Sequence, residues 1–275
     1  MVHRPTRRHL LLSAAALTLL PVLPVLPARA GDAPLRVLAS AVPHAEILTF
    51  VQRRLAPDLK LKIIEITGEL RVNELTLAGD ADANFYQHRP FLETEEAILK
   101  TTFAVTATVH IEPLGIYSRR VKSLDAVPEG AAVSLSSNVT NLSRGLVLLQ
   151  AAGLIRLRPD LDPARRQLAT PRDIVENPRR LKLLEIEPAQ LPRTLDDVTL
   201  AIINGNYALQ AGLVPAKDAL ALEPAEGNPY ANLLVTVPEK AEDPRIQRLS
   251  RLLEGPEVAA FIRERYAGSV IPVHS

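Results

Sequence analysis

The chain has 275 residues, with 32 basic and 31 acidic side chains, 47% hydrophobic and 4% aromatic residues, and no cysteine. This is a globular composition, and the length suits one large or two modest domains around a packed core. Without cysteine there are no disulfides, thiolate metal sites, thiol nucleophiles, iron-sulfur clusters or lipids attached through a thiol. A near-neutral total with no long basic run gives no electrostatic footprint for nucleic acid.

The first thirty residues read as an export signal. Arg4, Arg7 and Arg8 form a positive region, Leu10 to Leu26 an apolar one, and Ala28-Arg29-Ala30 a small-residue cleavage site before Gly31. The apolar run is short for a membrane span and is broken by Pro21, Pro24 and Pro27. Thr6-Arg7-Arg8-His9-Leu10-Leu11 also has a twin-arginine look, and the general and twin-arginine routes both stay open. Removing the segment takes away four arginines, so the mature chain carries 28 basic against 31 acidic groups.

From Leu35 onward, strand-like runs alternate with helical ones, the pattern of an α/β protein. Leu35 to Ser40 reads as a buried strand, and Pro43-His44-Ala45-Glu46 opens a helix with apolar positions at Ile47, Phe50, Val51 and Leu55. Leu61 to Ile66 is the next strand, Val72 to Leu77 a helix ending at Gly79, and Ala81 to Phe85 a short buried strand. A helix over Leu92 to Lys100 leads to strands at Phe103 to Ile111 and Leu114 to Tyr117, and Ser123 to Pro128 reads as a turn of helix. A second unit starts with strand Ala131 to Leu135 and an amphipathic helix, Asn138 to Ala152, with asparagine caps and Gly153 at its end. Leu200 to Ile203 is a strand stopping at Asn204, Leu233 to Val237 another, and helices at Asp243 to Leu253 and Pro256 to Tyr266 finish the chain. The expected architecture is two lobes, 31–115 with 228–275 and 116–227, with ligands in the crevice at the strand ends.

Three segments carry candidate chemistry. Asn84-Phe85-Tyr86-Gln87-His88-Arg89-Pro90-Phe91 is dense in aromatics just after a strand; it either lines a pocket or caps a core. Arg144 lies near the start of the helix after Ser136-Ser137-Asn138-Val139-Thr140-Asn141, where free amides favour an anion and a guanidinium fork fits a carboxylate. It could equally be a surface arginine. Asn204-Gly205-Asn206-Tyr207 can serve both ends of a zwitterion or simply make a capped turn, and Asn228-Pro229-Tyr230-Ala231-Asn232 has the same ambiguity. No G-x-S-x-G, H-E-x-x-H, G-x-x-x-x-G-K-[ST] or G-x-G-x-x-G motif is present. His44, His88 and His110 are too scattered in sequence to read as a metal site.

In order along the chain come Pro43-His44-Ala45-Glu46-Ile47-Leu48, Asp82-Ala83-Asn84, Gln87-His88, His110-Ile111-Glu112-Pro113-Leu114-Gly115 and Thr170-Pro171-Arg172-Asp173-Ile174-Val175-Glu176-Asn177-Pro178. Ala189-Gln190-Leu191-Pro192-Arg193, Ala201 to Ala208 and Pro229-Tyr230-Ala231-Asn232 follow. Together they closely resemble the NlpA family of substrate-binding lipoproteins, across essentially all of the mature chain. The resemblance implies a two-lobed periplasmic-binding-protein fold that closes on a free amino acid, methionine by default, and hands it to the permease and ATPase subunits of an ABC importer. It implies a ligand side chain among Tyr86, His88 and Phe91, a carboxylate on Arg144, and ligand contacts from Asn204 and, less directly, Asn228.

Three departures accompany the resemblance. The family's lipidated cysteine is replaced by Ala30-Gly31, so a freely diffusing periplasmic monomer without a lipid anchor is expected. Glu69 stands where a pocket tyrosine is usual, and points either to solvent or into the cleft, where it would meet Arg71 or select a donor-bearing ligand. Tyr86 and Phe91 exchange phenol and bare ring relative to the usual order. No cofactor, metal or catalytic residue is expected. The alternatives are the same fold with another amino acid, a short peptide or a polar metabolite; an exported enzyme using His88 with Glu112 or Glu69 as acid and base; and an interaction module with a vestigial cleft.

Overall fold

The alternation of strands and helices resolves into two sheets joined by two chain crossings. The computed structural model describes residues 33–68, 71–161 and 167–274. The export segment and Glu69 lie outside the described residues.

In the first sheet Leu35–Ser40 (β1), Leu61–Ile66 (β2) and Ala83–His88 (β3) run parallel. Ala104–Ile111 (β4) belongs to the same sheet, and the chain then crosses to the second at Gly115–Tyr117 (β5). There Ala132–Ser136 (β6) follows, a small hairpin pairs Arg156–Leu157 (β7) with Ile174–Glu176 (β8), and Lys182–Ile186 (β9), Leu200–Ile203 (β10) and Ala221–Leu222 (β11) complete the set. Ala231–Thr236 (β12) and Ile271–Pro272 (β13) return to the first sheet. The strand orders are β13-β4-β12-β3-β1-β2 and β11-β5-β10-β6-β9. Parallel β9, β6 and β10 carry on one edge β5, antiparallel to β10, and then β11, antiparallel to β5, while β12 lies antiparallel between β3 and β4.

The helices are Glu46–Phe50 (α1, extended by helical turns at Ala41–Ala45 and Val51–Leu55), Val72–Leu77 (α2), Arg89–Leu99 (α3), Val139–Ala151 (α4), Gly205–Gln210 (α5), Pro215–Asp218 (α6), Pro244–Leu253 (α7) and Pro256–Tyr266 (α8). The last two pack back on the first sheet: Ile246, Leu249, Val258 and Ile262 share one core with Val37, Phe85 and Val109. A second core joins Leu135, Leu142, Leu146 and Leu149 to Leu200 and Ile202. On the other face of that sheet Leu191, Leu195 and Tyr207 pack with Tyr117 and Ile203. Among the described residues no helix is long and apolar enough to cross a membrane.

Two differences from the sequence reading matter for the site. β3 runs to His88 rather than stopping at Phe85. The strand is buried at every position, so it shows no inside-outside alternation to mark its end, and His88 itself closes it as the cap of α3. Lys182–Ile186 forms a strand that the sequence pattern does not mark, because it sits at the sheet edge with only two half-buried apolar positions.

Candidate functional site

β3 delivers three candidates to one place through a local device. Pro90 in the first turn starts α3, and His88 caps it by accepting the backbone N–H of Phe91 on Nδ1 at 3.2 Å. Its Nε2 therefore carries the proton and donates to Asn141 Oδ1 at 3.1 Å, a bond between the two sheets' halves. Burial, then the nearby Arg144 charge, lowers the His88 pKa to about 3. Both ring nitrogens are engaged and the ring is neutral. Tyr86 and Phe91, with ring centroids 5.8 Å apart, form an aromatic wall beside it.

Beside this wall the polar residues of β3 are paired with one another and with α2. Gln87 donates to Asn73 Oδ1 at 2.7 Å and Asn84 Oδ1 at 2.8 Å, Asn73 donates back to Gln87 Oε1 at 3.0 Å, and Asn84 donates to Thr76 Oγ1 at 2.9 Å. A buried amide network satisfied in this way fixes the strand instead of costing stability.

α4 brings Arg144 from the other half. The free amides expected at its start are in fact capped, since Asn138 Oδ1 accepts from Thr140 N and Asn141 N, both at 3.1 Å. Arg144 is no surface residue: it is 3% exposed. Its expected carboxylate fork is also closed, because Nε donates to both Glu223 oxygens at 2.8 and 2.9 Å, and Nη2 to Glu223 and to the Glu112 carbonyl at 2.8 Å. The Tyr230 ring lies 4.2 Å from the guanidinium carbon. Nη1 has no partner among the described residues.

Asn204 follows the fully buried β10 and occupies the cap position of α5, yet its side chain makes no capping bond. Nδ2 donates to Asn141 Oδ1 at 3.1 Å, and the buried Oδ1 has no hydrogen-bond partner among the described residues. The start of α5 is served from across the site, where Asn206 N donates to Glu112 Oε2 at 2.7 Å. Asn228 makes the turn that was the alternative reading: its Oδ1 accepts Tyr230 N at 2.9 Å and its Nδ2 donates to Pro224 O at 3.0 Å.

Tyr86, His88, Phe91, Arg144 and Asn204 thus line one cavity, while Asn228 is not among its lining residues. Glu112, Asn141, Asn206 and Asn232 also line it, and Glu223 and Tyr230 are the partners of Arg144; Asn141, Asn206, Asn232 and Tyr230 lie in segments the sequence marks without giving each a ligand role, Glu112 enters only as an acid or base, and Glu223 carries no signal at all. The cavity holds about 20 Å³, room for about one water by the measure in which one needs roughly 10–15 Å³.

Below the cavity His44, His110 and Glu112 place donor atoms within 4.8 Å of one another, all buried. Sequence spacing had kept these residues apart. His44 Nε2 donates to Asn232 Oδ1 at 2.9 Å, and His110 Nε2 lies 2.8 Å from Glu112 Oε1. Burial lowers the pKa of His44 to about 4 and of His110 to about 3, and raises that of Glu112. A metal-bound histidine normally anchors its second nitrogen, and here both Nδ1 atoms are buried without a partner among the described residues. The trio is a hydrogen-bonded strut: Glu112 sits in the crossing between β4 and β5 and grips His110 on one side and α5 on the other.

Comparison with known proteins gives a consistent result. The family model described as NlpA lipoprotein matches residues 35–274. A probable D-methionine-binding lipoprotein MetQ of Vibrio cholerae is 37% identical over 214 residues, 78% of each chain. The D-methionine-binding lipoprotein MetQ of Escherichia coli is 34% identical over 226 residues, 80% of this chain and 82% of that one. The structure of a nutrient-binding protein from Burkholderia cenocepacia bound to methionine superposes with a TM-score of 0.82 at 36% identity, covering 87% of this chain and 99% of that one. The fold is the mixed α/β, two-sheet architecture of that structure.

Proposed function

The chain belongs to the NlpA lipoprotein family, and from that premise we propose that it is the substrate-binding component of an ABC importer, closing on a free amino acid, methionine in the first instance. The observation that carries this reading is one buried cavity with three complementary features. Arg144 Nη1 is a cationic donor for a carboxylate, Asn204 Oδ1 is an unpartnered acceptor for an ammonium, and Tyr86 and Phe91 make an aromatic wall for an apolar side chain. The names of the relatives, which bind methionine, support the ligand class.

The lobes in this reading are the halves expected from the sequence, 31–115 with 228–275 and 116–227. Ligand contacts to both stabilise the closed form, which is what the permease would recognise. Because both His88 nitrogens are hydrogen-bonded, the residue is poorly placed to move a proton, which favours binding over turnover. With no cysteine to carry a thioether lipid, the mature protein is proposed to diffuse freely as a periplasmic monomer after cleavage before Gly31. Mass spectrometry of the gently denatured purified protein tests the ligand: release of a free amino acid is expected, and release of a sugar, peptide or reaction product would refute the reading.

A further inference from the structure

The ligand's carboxylate would meet an arginine whose charge is already spent. Glu223 accepts from Arg144 Nε and Nη2, and the pair is buried, with side chains 3% and 10% exposed. Glu223 also accepts Leu114 N at 2.9 Å and Asn228 Nδ2 at 3.4 Å. One residue therefore ties Arg144 to both crossings between the sheets, residues 112–114 and 223–230. With the Glu112 carbonyl on Nη2 and Tyr230 beneath the plane, the guanidinium has one orientation and, among the described residues, one amino group without a partner. The rest of the lining adds no positive charge: Gln87, Asn141, Asn204, Asn206 and Asn232 are amides, Tyr86 and Phe91 are rings, His88 is a neutral imidazole and Glu112 a carboxyl group.

We infer that Glu223 is a positioning and specificity-determining residue of this site: by occupying the Nε–Nη2 edge of Arg144 it presents only Nη1 to the ligand and removes any net positive charge, so that the site selects a zwitterion over an anion. The inference rests on the amino-acid-binding reading above. Without Glu223 a buried, unpaired guanidinium would remain, and any anion that reached it would relieve the cost of that charge. A zwitterion brings its own ammonium and gains less.

Calorimetric titration with three probes tests this: methionine, 4-(methylthio)butanoate, which lacks the amino group, and methioninamide, which lacks the carboxylate. The wild-type protein is expected to prefer methionine over both by at least about tenfold. In Glu223→Gln the preference for methionine over the butanoate is expected to fall about 10- to 100-fold, the size of a partly buried charge interaction. Glu223→Asp, which keeps the charge, is expected to retain most of the wild-type preference. A preference unchanged in Glu223→Gln, or lost equally in the Gln and Asp variants, overturns the inference. Should Glu223→Gln not fold, a wild-type protein that binds the butanoate as tightly as methionine overturns it as well. Failure of the wild type to bind methionine overturns the functional reading together with it, whereas methionine binding with an unshifted preference sinks only the role of Glu223.

Discussion

Adding one methyl group at Gly205 should damage stability and binding together. A Cβ built there lies 2.9 Å from Glu112 Cβ and 3.5 Å from Glu112 Cα, whereas carbon atoms in contact settle near 3.5–4.0 Å. The gap must open by roughly 0.6–1 Å. Glu112 cannot step aside cheaply, since one oxygen is held by His110 at 2.8 Å and the other by Asn206 N at 2.7 Å. Overpacking of this kind costs about 1–3 kcal/mol, and alanine's better helix propensity returns at most about 1 kcal/mol. Gly205→Ala should therefore be destabilised by about 1–2 kcal/mol, a fall in melting temperature of roughly 2–6 °C for a chain of this size. The displaced Glu112 carbonyl also loosens Arg144, so affinity should weaken about tenfold, the worth of one charge-assisted hydrogen bond. Gly79→Ala is the control: its φ of +80° strains alanine by about 1–2 kcal/mol with open space around it, so stability should fall while affinity holds. Denaturant melts and calorimetry measure both. A Gly205→Ala protein with unchanged midpoint and unchanged affinity would refute the claim that Glu112 is pinned between the two halves.

The buried histidines give a pH dependence of defined sign. Folding depresses the pKa of His44 to about 4 and of His88 and His110 to about 3, so below the unfolded value of about 6.5 the unfolded chain takes up protons that the folded one refuses. Stability is lost as pH falls from 6.5 toward 4, at about 1.4 kcal/mol per pH unit and histidine; Glu112, raised in the fold by burial, acts in the opposite sense. Denaturation at stepped pH should report net proton uptake on unfolding between pH 6.5 and 4, and a flat profile would contradict the burial of these rings. Burial pushes the Asp82 carboxyl up, but bonds from Arg36 and Lys240 outweigh it and hold the group below the usual range, so its contribution is present above about pH 4 and lost in acid. Asp82→Asn should cost about 1–3 kcal/mol at pH 7 in a urea melt, less than a fully buried pair because Arg36 and Lys240 are a third exposed. Asn204→Ala should weaken methionine binding about 10- to 100-fold while Asn228→Ala changes it less than about threefold; the reverse ranking by calorimetry would move the ligand toward the second crossing.

What was legible in the chain and what was not divides along physical lines. Strands such as Leu35–Ser40 and Leu200–Ile203 and the helix at Val139–Ala151 carry their own apolar pattern and punctuation, so they could be read locally. Tyr86, His88, Arg144 and Asn204 were conspicuous because each interrupts or ends such a pattern with a polar or aromatic group. Glu223 gave no such signal, Glu112 none beyond its acid-base chemistry, and Tyr230 sat in a segment that could equally be a capped turn. They lie in or beside short crossings, and their roles exist only because two segments 79 residues apart place Arg144 against Glu223. Asn141 looked like part of a helix cap, yet its side chain joins His88 to Asn204. The cap at Asn138 and the closed guanidinium fork overturned the idea of an open anion site at the helix start, since that idea considered α4 without the strand ends that face it.

In the proposed function Arg144 Nη1 and Asn204 Oδ1 hold the two ends of one amino acid. Titration of the wild-type protein and Arg144→Ala with D- and L-methionine tests it most directly. Binding of at least one isomer at one site per chain, abolished in a folded Arg144→Ala protein, is the expected result; equal affinity in the two proteins, or no amino acid bound by either, would contradict it.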